Sequence, residues 1–136
     1  MARLVLEIMQ TSPKPTSQYI PLSAINPIHP TDNRESTVKA TRERATILAV
    51  NKERFLKTSK ITKTAMAELM PSLTHIRVVS AGNGQFFCFE GNGRIAALKT
   101  IFTNEDRLHV EVDVFQPKRQ KRVLRNIRRL RAMHNM

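Results

Sequence analysis

A mixed α+β domain with a small mixed sheet, a β-hairpin and flanking helices is predicted by three features of this sequence. They are an Asn83-Gly84 pair between two β-rich runs, a strictly alternating run over 108–115, and stretches of helical periodicity interleaved with both. Strands and helices that mix along a chain fit one layered domain. The 136 residues suit a single domain with its own core. With no Trp and one Tyr, that core has to be assembled from Ile, Leu, Val, Met and Phe.

Residues 1–18 read as an N-terminal segment and linker, because two prolines and small polar residues over 11–18 leave little to bury. The apolar stretch 19–25 opens the domain. Pro21 cannot donate to a ladder, so this stretch is an edge strand or the start of one, and Pro27 and Pro30 end it. Thr31, Asp32 and Asn33 are loop formers. A helix begins near Ser36, capped by Ser36 or Thr37, with Val38, Ala45, Leu48 and Phe55 near one face and the basic residues of 39–44 on the outer side. A shorter helix covers Thr64 to Leu69 and stops at Pro71. Residues 75–80 and 85–90 are extended, and the Asn83-Gly84 turn makes them a hairpin, since both central residues of a type I′ turn need positive φ. Residues 95–102 form a helix that buries Ile95, Leu98, Ile101 and Phe102. A half-buried strand follows over 108–115, then a helix over 117–133 with Val123, Ile127 and Leu130 as a narrow apolar stripe.

Cys88 is the one cysteine, which excludes an internal disulfide and a two-cysteine metal motif and fits a reducing, intracellular setting such as cytoplasm, nucleoid, nucleus or organelle matrix. No apolar run approaches the ~20 residues of a membrane span, and the first nine residues are too short and acid-interrupted for a secretory signal. His29, His75, His109 and His134 show no ligand spacing, so no metal centre is expected. The net charge of +12 is uneven. Residues 116–136 hold eight basic residues and no acid, against 15 basic and 11 acidic residues elsewhere. Those eight, Lys118, Arg119, Lys121, Arg122, Arg125, Arg128, Arg129 and Arg131, point to a polyanionic partner, DNA or RNA; a solvated helix face is the plainer alternative.

The segment 87–98 carries the most chemistry. A strand runs into Glu90-Gly91-Asn92-Gly93-Arg94 and a helix starts at once. Unbonded N–H groups and the positive end of the dipole gather at such a start, two glycines let a ligand approach, and Arg94 offers a fork that suits phosphate. The same residues also make an ordinary strand-to-helix turn. Glu90 is a candidate base or Mg²⁺ ligand, or a carboxylate that only stabilises the helix start. Asp32 and Glu35 are further candidates for this site. Phe86, Phe87 and Phe89 offer either a stacking platform for bases or, more commonly for a central strand, core.

This segment resembles the signature of the ParB/sulfiredoxin superfamily, in which a hydrophobic strand leads into Gly-x-x-Arg and an Ala-rich helix. The match is Gly91, Asn92, Gly93 and Arg94, then Ala96 and Ala97. The stretch Ile20 to Pro27 followed by Asn33-Arg34 resembles the family's opening strand and loop, Ile76 to Val79 its central strand, and Val110 to Val112 its closing strand, so the resemblance spans residues 19–115. It implies a nucleotide-phosphate site at 91–94, with a nucleotide and Mg²⁺ as the candidate cofactor. It does not imply one reaction, because branches of the family act as DNA clamps, nucleases, a free-amino-acid kinase or sulfinic acid reductases. Asn92 and Gly93 stand where sulfiredoxins carry the catalytic cysteine and a histidine, and Cys88 lies earlier, in the strand, as a small hydrophobe. Segregation factors carry a Glu-Arg-Arg-like run and a helix-turn-helix domain for which 136 residues leave no room. Three readings follow: a phosphate- or nucleotide-binding domain that associates with nucleic acid through 116–136, a catalytically inactive component of a nucleoprotein or ribonucleoprotein assembly, and a nuclease or small-molecule kinase.

Overall fold

The computed structural model describes residues 2–30 and 33–136. Asp32 lies outside them. The mixed α+β architecture is as predicted, a sheet between two helical layers, with five α-helices and six strands among the described residues. In chain order these are α1 (Ala2–Thr11), β1 (Thr16–Pro21), β2 (Ile25–Pro27), α2 (Glu35–Leu56), β3 (Lys60–Ile61), α3 (Lys63–Leu69), β4 (Arg77–Gly82), β5 (Gln85–Glu90), α4 (Asn92–Ile101), β6 (His109–Phe115) and α5 (Gln120–Met133).

The sheet runs β1-β6-β4-β5-β2, and β3 also pairs with β6. β1 lies antiparallel to β6 at one edge and ends at Pro21, where a missing N–H does least harm. β4 and β5 form the hairpin, and Asn83 (φ 54°) and Gly84 (φ 72°) take the two left-handed positions that the turn requires. β6 pairs in parallel with β4, which puts β4, β5 and β6 in the middle of the sheet. The short strands β2 and β3 escape periodicity, since two or three residues carry no period to read.

One face of the sheet buries Val78, Cys88, Val110, Val112 and Val114 against Leu48 and Phe55 of α2, Ala65 and Met66 of α3, and Ile95, Ala97 and Leu98 of α4. Thr62 caps α3, its hydroxyl accepting from the Ala65 N–H at 3.0 Å. Val38, expected on the inner side of α2, is exposed. The other face buries Val79, Phe87, Phe89 and Phe115 against Val123, Leu124 and Ile127 of α5 and Leu4 and Ile8 of α1.

The linker expected over 1–18 is therefore corrected. Residues 2–11 form a helix whose Leu4 and Ile8, four apart on one face, enter the core, and β1 begins at Thr16. Glu7 of α1 lies 3.5 Å from Arg122 of α5, tying the two helices at their rim. No helix among the described residues is long and apolar enough to cross a membrane.

Because Ile8 is fully buried, Ile8→Ala should destabilise the whole domain by about 2–5 kcal/mol. Urea unfolding checks this. A loss under about 0.5 kcal/mol, the size typical of surface substitutions, would mean that α1 is not part of the folded unit.

Candidate anion site

β5 delivers the chain to the start of α4 through Gly91, whose φ of 99° lies in the left-handed region. A Cβ there would sit 2.8 Å from Ile76 Cγ1 and 3.3 Å from Ile76 Cα, so conformation and space both demand glycine. The first helical bond runs from the Ile95 N–H to the Gly91 carbonyl at 3.1 Å. The N–H groups of Asn92, Gly93 and Arg94 precede it and stand at the positive end of the helix dipole.

Arg94 is the one charged residue in the core among the described residues, with 5% of its surface exposed. Its Nη1 donates to the Thr74 carbonyl at 2.9 Å. No carboxylate lies within ion-pair distance of it among the described residues. Burial lowers its pKa and the like charge of Arg44 adds to that, while the Cys88 sulfur, when ionised, and the Glu90 carboxylate act in the opposite sense. A cation so placed, buried and at the positive end of a helix, is costly unless a negative group meets it.

A cavity of about 370 Å³ opens over this helix start. Glu90, Gly91, Asn92, Gly93 and Arg94, the five loop residues expected at the site, line it together. Phe89, His29, Ser72 and Arg44 complete the wall. Arg94 and Ser72 also line a smaller cleft of about 180 Å³ with His75, Arg77 and Asp113, so Arg94 stands between two hollows. Arg44 is a correction: the sequence places it on the outer side of α2, yet its guanidinium reaches Gly93. α2 packs against α4, and nothing local in either segment announces that packing. Glu35 is exposed at the start of α2 and lies off the cavity wall.

Of the three phenylalanines, Phe87 and Phe89 are core, Phe86 packs partly buried against the opposite face, and Phe89 meets Phe115 edge to face with centroids 5.3 Å apart. The eight basic residues of the C-terminal segment do not all face solvent. Arg131 is half-buried with its guanidinium 5.0 Å over the Phe87 ring, and Arg122 pairs with Glu7. Lys118, Arg119, Lys121, Arg122, Arg125, Arg128 and Arg129 are exposed. The apolar stripe of α5 is Val123, Leu124 and Ile127, with Leu130 only half-buried.

Cys88 is fully buried in β5, and burial pushes its thiol up to about 12. Its folded value thus lies above the ordinary 9.0, so the stability it contributes is complete below pH 9 and is lost as the pH climbs toward 12. Near pH 8 the native protein should hold roughly a thousandfold less thiolate than an unperturbed cysteine, and a thiol reagent should label it far more slowly than the protein in denaturant. Rapid native labelling would show that the thiol is reachable. No family model matches this chain, and no curated protein matches it.

Proposed function

We propose that this chain is a phosphate- or nucleotide-binding domain of the ParB/sulfiredoxin type that associates with nucleic acid through α5. The observation that carries the first half is Arg94: a guanidinium nine-tenths buried, bonded to one neutral carbonyl, at the positive end of α4 and on the wall of a cavity. Two arginines and the three residues of the first turn of α4, whose N–H groups have no backbone acceptor among the described residues, line that space, and an anion would satisfy them together. Glu90 is half-buried on the same wall and is the residue that would hold the Mg²⁺ of a bound nucleotide. That ion would offset part of the phosphate charge.

The second half rests on α5. Docking Val123, Leu124 and Ile127 on the sheet turns Lys121, Arg125, Arg128 and Arg129 outward on a rigid support. Lys121, Arg125 and Arg129 follow one another at i, i+4, where like charges weaken a helix by a few tenths of a kcal/mol per pair. Tertiary docking offsets that cost, and phosphates would relieve it.

Arg94→Ala should weaken binding of ATP, ADP, CTP or GTP, whichever the protein takes up with Mg²⁺, by about 1.5–3 kcal/mol in titration calorimetry. Unchanged affinity for every nucleotide would remove Arg94 from the site. On the nucleic-acid side, changing Lys121, Arg125, Arg128 and Arg129 together to Gln keeps the apolar stripe intact and should leave the melting temperature nearly unchanged. Binding to duplex DNA should weaken, and the slope of log K against log salt should flatten by about 0.9 for each phosphate the helix no longer neutralises, or about 0.7 for single strands. An unaltered slope would mean that α5 does not meet phosphates, and an acidic protein would then be the partner to test.

A further inference from the structure

The φ of Gly93 is not positive, so backbone conformation does not require glycine there. What lies over it is a side chain: an added Cβ would lie 2.6 Å from Arg44 Nη1, and the flexible guanidinium would have to move aside. The Arg44 guanidinium therefore rests directly on the backbone of the first turn of α4, on the same cavity wall as Arg94. Two like charges are held together at the positive end of a helix, with Glu90 the one carboxylate on that wall among the described residues.

We infer that the cavity is built for a phosphate dianion, the terminal phosphate of a phosphomonoester, and that Arg44 is its second cationic ligand beside Arg94. The inference rests on the anion-site reading and narrows it. Among the described residues, two guanidiniums and a helix end worth about half a charge, less one for Glu90, leave roughly +1.5, so the wall calls for an anion and the number of oxygens it must meet decides which. A terminal phosphate shows three unesterified oxygens to two planar forks and the backbone N–H groups, whereas a diester shows two and brings a second substituent into the cavity. The two basic surfaces then have different ligands. α5 meets the diesters of a strand, and the cavity takes a nucleotide, a phosphorylated strand end or another small phosphomonoester.

The experiment compares phenyl phosphate with methyl phenyl phosphate by titration calorimetry on the full chain, at constant ionic strength and about pH 8, where the monoester is a dianion. The monoester is expected to bind at least tenfold tighter, on the order of one charge-assisted hydrogen bond. Arg44→Gln should erase that preference, chiefly by weakening the monoester. Gly93→Ala, which displaces the Arg44 guanidinium without removing its charge, should do the same and serves as the second variant if Arg44→Gln melts early. Equal affinity for the two esters in the wild-type protein, or a preference that survives in both folded variants, would overturn the inference while leaving an anion site in place. Binding of neither ester would bring down the anion-site reading itself.

Discussion

Phe86 and Cys88 of β5 turn to one side of the sheet and Phe87 and Phe89 to the other, and this double apolarity governs the rest of the molecule. A strand that is apolar on both faces has to be covered twice. α2, α3 and α4 cover one side and α1 and α5 the other. Parallel pairing of β4 with β6 places β5 one strand from the centre, so both covers are needed at the same place. The N-terminal helix is thereby drawn into the fold, although its sequence reads as part of an N-terminal segment and linker.

The same strand aims the site. β5 ends at Glu90, Gly91 takes the left-handed conformation that lets α4 start without a gap, and Arg94 falls at the first turn, where Ile76 and Thr74 close over it. Burial of that guanidinium works against stability, as does its neighbour Arg44. A protein keeps such a cost where binding recovers it. The cavity over the helix start, with the N–H groups of the first turn of α4 on its wall, is where an anion would recover it.

α5 has two roles that cannot be separated by cutting the chain. Its Val123, Leu124 and Ile127 shield Phe87, Phe89 and Val79, and its outward face carries the basic residues. Removing the helix would uncover the sheet, so charge substitution isolates the basic face where truncation would not. Arg122 and Arg131 belong in part to the structural role, one paired with Glu7 and the other laid over Phe87.

Local pattern was enough for the fold class, the hairpin, the loop at 90–94 and the helix after it, read over 95–102 and found at Asn92–Ile101. These rest on short-range physics: positive φ at Asn83 and Gly84, alternation over 109–115, and glycine at the junction of β5 and α4. Tertiary structure alone decided that α1 is core and that β2 and β3 pair with distant strands. It also brought Arg44 across from α2 to Gly93 and left Arg94 buried with no carboxylate at ion-pair distance among the described residues. Each of these depends on which elements meet, and a pattern of local periodicity cannot encode that when the meeting joins residues far apart in the chain or an element only two or three residues long.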